Sequence, residues 1–164
     1  MEKLPKRKGN RLSGYDYSQA GMYFVTVCTK VKRNPLGEVV GAATRCPGCR
    51  PHVVLSEYGK IVDIAISNIP MIYESVKVNH YVIMPNHIHM LIQIEKSGRQ
   101  IAAPTVSLII GNMKRAVSIK LKQSIWQKSY YDHIILSEKE YEKIAHYIDE
   151  NPQTWANDRY YSTN

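Results

Sequence analysis

The sequence has no long apolar run. No stretch of 18 or more apolar residues occurs, so we expect no membrane-spanning helix. Its three cysteines are an odd count and too few for a secreted disulfide scaffold. The basic, polar N-terminal segment lacks the apolar core of a signal peptide. These absences favour a cytoplasmic protein, and the length of 164 residues favours one domain with its own core.

Acidic residues are scarce relative to basic ones. The chain has 22 lysines and arginines against 14 aspartates and glutamates, which gives a net charge of +8. Such an excess favours a polyanionic partner, nucleic acid first, although many basic proteins bind none. Two basic groups could contact phosphates, one at Lys3, Lys6, Arg7, Lys8 and Arg11 and the other at Lys114, Arg115, Lys120 and Lys122.

Hydrophobic patterning divides the chain into alternating elements. Residues 1–19 are interpreted as a flexible basic lead-in, residues 20–157 as the folded domain and residues 158–164 as a tail. Four main strands are predicted, together with a short hairpin between two further segments. The main strands cover residues 21–29, 76–84, 87–94 and 130–136, and the hairpin pairs residues 37–40 with 52–55.

Three helices are predicted from their start and stop signals. Ser56 caps the first, which runs to about residue 68. Pro104 lies in the first turn of the second, which runs to about residue 122. Ser137 caps the third, with Glu140 completing a capping box, and this helix ends near residue 151. The order predicts an α+β, ferredoxin-like (split βαβ) fold, with a four-stranded antiparallel sheet, helices on one face and an added C-terminal helix.

Two histidines interrupt the apolar pattern of the third strand. His87 and His89 project from the same face because side chains alternate along a strand, while Ile88 points the other way. Both imidazoles could therefore reach one metal ion. The alternative is a pair of half-exposed histidines that bind no ligand.

The last predicted helix carries a tyrosine and an amide with the spacing of one helical turn. Tyr147 and Asn151 stand at i and i+4, so their side chains lie on one helix face. If that face met the histidines, His87, His89 and Asn151 could hold Mg²⁺ or Mn²⁺ and Tyr147 could attack a phosphate. Alternatively, Tyr147 is a packing residue and Asn151 ends the helix before a proline.

Several sequence phrases match a known family in one consistent order. The chain resembles the single-tyrosine transposases of the HUH superfamily, in particular the REP-associated tyrosine transposases, over roughly residues 9 to 157. The phrases are GYDYSQAGMYFVTVCT (14–29), LGEVV (36–40), LSEYGKIV (55–62), YVIMPNHIHMLIQI (81–94), IWQKSYYDHII (125–135) and YIDENPQTW (147–155).

The resemblance implies a mechanism and a substrate. In that family the paired histidines, here His87 and His89, bind a divalent metal, and the tyrosine of the YIxxNP phrase, here Tyr147, is the nucleophile. Asn151 lies where the helix-borne metal ligand is expected. The implied substrate is hairpin-forming single-stranded DNA, cut through a 5′-phosphotyrosine link with release of a 3′ hydroxyl. The implied enzyme is a monomer or homodimer that works at the nucleoid.

The regions next to this motif offer further candidates for DNA contacts. Lys114, Arg115 and Arg11 could contact phosphates, or lie on solvated surfaces. Tyr131 could stack on an unpaired base, and His133 stands in a phrase that lies near the active site in the family. Trp126 and Tyr130 could also stack on bases, although core packing is the alternative.

Cysteines in the 46–49 loop could form half of a zinc site. Cys46 and Cys49 have the required spacing, and Cys28 with His52 could complete four ligands. The alternative is a tight loop with free thiols.

Other functions fit the sequence less well. An RNA-recognition domain has the same topology, but the spaced aromatics expected in its third strand are replaced by histidines. A histidine-triad hydrolase would need a third histidine where Leu91 stands. A domesticated nucleic-acid-binding module, with the same fold but no mobility, stays open as the alternative to a transposase.

Overall fold

A computed structural model describes residues 20–31, 33–41, 50–96 and 104–161 of the chain. The predicted lead-in, including Arg11, and the loop with Cys46 and Cys49 lie outside the described residues. In chain order the elements are β1 (Gly21–Cys28), β2 (Gly37–Val40), β3 (His52–Leu55), α1 (Glu57–Ser67), α2 (Ile69–Ile72), β4 (Val76–Ile83), β5 (His87–Ile94), α3 (Val106–Lys120), β6 (Tyr131–Ile135), α4 (Glu138–Glu150) and a 3₁₀ helix (Asn151–Asn157).

Four of the strands form one antiparallel sheet in the order β4-β5-β1-β6. This is the ferredoxin-like order, so the predicted fold class is confirmed. The bounds of β5 agree with the prediction, and those of the other three strands of this sheet differ from their predicted bounds by at most one residue. The predicted hairpin is also confirmed, because β2 pairs with β3 from Gly37 opposite Leu55 to Val40 opposite His52.

One face of the sheet carries the main hydrophobic core under α1 and α3. Alternate residues of β1 and β5 point into it because strand side chains alternate between faces. Val62 and Ile66 of α1 are completely buried there. The members contributed by β1, β5 and α3 are Tyr23, Val25, Val27, Ile88, Met90, Ile92, Ile94, Val106, Ile109, Ile110, Met113 and Val117.

Helix α4 packs on the opposite face of the sheet. Its Ala145 and Ile148 join Leu91 of β5 and Ile135 of β6 in a second, smaller cluster. The added C-terminal helix is thus confirmed, and it covers the face from which the odd-numbered residues of β5 project. His87 and His89 belong to that same set.

The helix starts follow the predicted caps with two corrections. The Ser56 and Ser137 hydroxyls accept from the backbone N–H groups of Gly59 and Glu140. Pro104 does not lie in the first turn of α3, because Thr105 caps that helix. The Glu140 carboxylate accepts from the N–H of Leu136 instead of that of Ser137, so the capping box is displaced by one residue.

None of the helices in the described ranges is both long enough and apolar enough to cross a membrane.

Candidate active site

The two histidines of β5 lie side by side under α4. His87 is fully buried and His89 is 2% exposed. Their Nε2 atoms are 3.0 Å apart. Adjacent ligands of an octahedral Mg²⁺-sized ion lie about 3 Å apart, since each stands about 2.1 Å from the ion. The two nitrogens therefore have the spacing of neighbouring ligands.

Neighbouring side chains set which nitrogen of each ring is free. Asn86 donates its amide N–H to the Tyr160 carbonyl (2.8 Å), so its Oδ1 accepts from Nδ1 of His87 (3.0 Å). Nδ1 of His89 lies 2.8 Å from the Thr26 hydroxyl, which is directly opposite it in β1. With both Nδ1 atoms engaged in this way, Nε2 is the nitrogen of each ring that is left for a cation. Metal-binding histidines are commonly oriented by such contacts.

Both imidazoles are held neutral. Burial, together with the nearby Arg159 guanidinium, lowers the pKa of His87 to about 3. Burial likewise lowers the pKa of His89 to about 3, with an additional effect of His87. Neutral imidazole is the form that binds metal. The site is therefore ready to accept a cation at neutral pH.

Two oxygen-bearing side chains adjoin the histidines. Asp158 places a carboxylate oxygen 4.0 Å from Nε2 of His87. The ligand atoms of His87, His89 and Asp158 all lie within 4.8 Å of one another. Asn151 is fully buried, and its Oδ1 has no hydrogen-bond partner among the described residues. A buried acceptor without a partner is costly, and the Nδ2 of the same amide donates to Oδ2 of Asp158 (3.3 Å), so Asn151 lies next to that carboxylate.

The tyrosine of α4 reaches this group from the helix side. Its hydroxyl lies 3.3 Å from Nε2 of His89, and its ring makes an edge contact with Phe24. Burial raises the pKa of Tyr147 and the Asp158 carboxylate raises it too, while Asn151 and Arg159 lower it. The side chain is still 42% exposed, so a substrate can reach the hydroxyl from solvent.

The segment after the 3₁₀ helix forms one wall of the site. The Tyr160 ring packs against His87 with centroids 4.6 Å apart, and the Arg159 guanidinium lies 4.6 Å from the Tyr160 ring centroid. Sequence reasoning gave this segment no role and missed Asp158. The one sequence feature that could have pointed to Asp158 is an acidic residue shortly after the YIDENPQTW phrase.

The remaining predicted site residues lie elsewhere or have other partners. His133 pairs with Glu140 at 2.7 Å, so its contact is with α4. Tyr131 lies beside it on β6 and is 45% exposed. The Lys114 ammonium donates to the backbone carbonyls of Gln127 and Ser129, while Arg115 lines a basic groove next to it.

Trp126 supports the packing alternative. It is 3% exposed, and its indole N–H donates to the carbonyl of Lys114.

Comparison with solved structures identifies the fold. A REP-associated tyrosine transposase bound to a REP hairpin has a TM-score of 0.62 and 21% sequence identity, over 87% of this chain and 74% of that one. This likeness shows the fold, so the chain shares the fold of that transposase. No family model matches the sequence.

A second comparison gives a full-length relative. An uncharacterized protein of Haemophilus influenzae is 31% identical over 176 residues, which covers 94% of this chain and 93% of the relative. The chain belongs to the same protein family as that Haemophilus protein.

Proposed function

We propose that this protein is a transposase-type nuclease that cuts and rejoins single-stranded DNA with Tyr147 as nucleophile. The observation that carries the proposal is the 3.3 Å approach of the Tyr147 hydroxyl to Nε2 of His89, within one chain. A phenol beside two neutral imidazoles is the arrangement that a metal-assisted attack on a phosphodiester requires. Because both groups come from one chain, we propose that a monomer suffices.

The metal site would be formed by His87, His89 and at least one of the two oxygens beside them. The orphaned Oδ1 of Asn151 and the Asp158 carboxylate fit a hard divalent ion such as Mg²⁺ or Mn²⁺. A closed zinc site would need sulfur or more nitrogen ligands. When bound, the cation would supply positive charge that polarises the scissile phosphodiester and stabilises its transition state.

The reaction exchanges one phosphate ester for another. The Tyr147 oxygen forms a bond to phosphorus as the bond from phosphorus to the 3′ oxygen breaks. The phenol loses its proton, and the departing 3′ oxygen gains one, by exchange with solvent. Attack by a 3′ hydroxyl on the phosphotyrosine reverses the step and restores Tyr147. No external energy source is needed because one ester bond replaces another.

Two groups of this chain favour the phenolate that attacks. Burial works against the charged form of Tyr147, but the Asn151 amide and the Arg159 guanidinium lower its pKa. Asn151 would hold the oxygen in place by its hydrogen bond. Arg159 would also attract the phosphate that approaches Tyr147.

The DNA partner is inferred from charge and from the solved relative. A net charge of +8 favours a polyanion. The structural neighbour is a complex with a REP hairpin. We propose that hairpin-forming single-stranded DNA in the cytoplasm, at the nucleoid, is the substrate here too.

The test is formation of a covalent adduct. A labelled hairpin oligonucleotide with Mn²⁺ should give a protein–DNA band on a denaturing gel, and Tyr147→Phe should abolish the band while binding persists. Tyr141→Phe on the same helix is the matched control and should keep the adduct. An undiminished adduct with Tyr147→Phe would refute this nucleophile. Hairpin binding by the wild type without any adduct would favour a domesticated binding module instead.

A further inference from the structure

A basic groove lies beside the C-terminal half of α3 and has no role in the site described above. Its volume is about 500 Å³. Its charged and hydroxyl-bearing lining residues are Lys30, Lys114, Arg115, Ser118, Ser124 and Lys128, and no acidic residue is among the described lining residues. An open groove with this lining favours an extended anion.

The lysines and the arginine of the groove divide into two kinds. Lys114 is half-buried, and its ammonium donates to two backbone carbonyls of the 127–129 segment. It is therefore a positioning residue that holds the segment carrying Lys128. Lys30, Arg115 and Lys128 are exposed, and none of them forms an ion pair with any residue that the structure describes. These three cations are available to a ligand.

The floor of the groove is tied to the end of the sheet that holds the histidines. The N–H of Lys30 donates to the carbonyl of Ile125, and the N–H of Gln127 donates to that of Cys28. Cys28 stands directly opposite His87 in the sheet, and its side chain hydrogen-bonds Tyr160. The groove therefore lies at the end of the sheet that carries Cys28 and His87, and Cys28 links it to the Tyr160 wall of the active site.

We propose that this groove binds the sugar-phosphate backbone of the DNA single strand beside the scissile phosphate, through Lys30, Arg115 and Lys128. The inference rests on the proposed function, since it gives the path of that substrate away from Tyr147. The groove would bind phosphates without regard to sequence, so it would set affinity and strand direction but not site choice.

The salt dependence of binding tests the groove without the reaction. Fluorescence anisotropy would follow a labelled mixed-sequence single strand over a salt series in chelator, so that no metal takes part. For single strands, log K falls with log[salt] by about 0.7 per phosphate contact. The triple variant Lys30→Ala, Arg115→Ala and Lys128→Ala should therefore lower the slope by about 2. The control variant Lys60→Ala, Lys77→Ala and Lys139→Ala removes the same charge elsewhere and should leave the slope unchanged.

The possible outcomes separate this inference from the nuclease itself. An unchanged slope in the groove variant, or an equal loss of slope in the control variant, would contradict DNA binding by the groove. An equal slope loss on a blunt duplex would assign the groove to paired DNA and also overturn the single-strand proposal. If the triple variant unfolds, Arg115→Gln alone should lower the slope by about 0.7. Absence of a covalent adduct in the wild type would instead refute the proposed function and leave these slopes interpretable.

Discussion

The sheet face under α1 and α3 buries a continuous apolar core, whereas the face under α4 buries a small apolar cluster beside two histidines. Strand β5 serves both faces. Its even-numbered residues, such as Ile88 and Met90, enter the large core. Its odd-numbered residues include His87 and His89, which belong to neither apolar cluster.

This difference indicates how the polar site is supported. Burying two imidazoles without a cation costs free energy, because these polar rings leave water. The apolar burial on the opposite face of the same strand offsets that cost. We therefore expect substitutions on the α1 and α3 face to alter mainly stability, and substitutions under α4 to alter mainly chemistry.

The largest expected effect is on chemistry at the histidine pair. His89→Ala should lower adduct formation by a factor of about 10³ or more, because it removes a proposed metal ligand and the group beside Tyr147. Thr26→Val keeps the ligand but removes the hydroxyl at Nδ1 of His89. Loss of such an orienting contact lowers metal affinity by roughly 10–100-fold. Titration of adduct formation with Mn²⁺ measures both effects.

A matched measurement of unfolding keeps this prediction specific to the site. Chemical denaturation of His89→Ala in chelator should show a folded protein with a cooperative transition. Full adduct formation by His89→Ala, or cleavage that persists in chelator, would remove the metal from the proposed mechanism.

The next effect compares one isoleucine from each face. Ile109 and Ile148 are both completely buried. Ile109→Ala should lower the free energy of unfolding by about 2–5 kcal/mol, the usual cost of a cavity in a large core. The loss for Ile148→Ala should lie near the lower end of that range, because α4 can shift over a smaller cluster. Ile148→Ala should also reduce adduct formation, since Tyr147 is adjacent to Ile148 in the helix.

Urea denaturation and the adduct assay together decide this comparison. If Ile148→Ala costs as much as Ile109→Ala and leaves the adduct unchanged, α4 is a structural helix like the others. The distinction between the two faces would then fail.

Local patterns in the sequence predicted most of the fold. The alternation in β5, the Ser56 and Ser137 caps and the β2–β3 hairpin all depend on neighbouring residues, and all are confirmed. The proximity of Tyr147 to His89 was also predicted. It followed from the His87/His89 spacing in a strand and the Tyr147/Asn151 spacing in a helix, once the family resemblance gave the topology. Pro104 was placed wrongly because Thr105 is the better cap, with a side-chain oxygen that Pro104 lacks.

Contacts between distant parts of the chain were not predictable. Thr26 meets His89 only because of the register between β1 and β5, which no local pattern sets. Asp158 reaches His87 because the 3₁₀ helix turns the chain back toward the sheet. Asn86 connects the Tyr160 carbonyl to Nδ1 of His87, and this contact depends on that same return of the chain.

The last comparison concerns the acid sensitivity of the α4 face. Each histidine of the pair has a folded pKa of about 3, below its ordinary value of 6.5. Between those two values the unfolded chain binds protons that the folded chain does not, so stability falls as pH falls. Each histidine contributes up to about 1.4 kcal/mol per pH unit in that window.

Urea denaturation in chelator between pH 7 and pH 5 should show this slope of stability against pH. His87→Gln with His89→Gln should flatten it. A wild-type slope that survives the double substitution would mean that the imidazoles take up protons in the folded protein, and that the site under α4 is more open to water than its burial indicates.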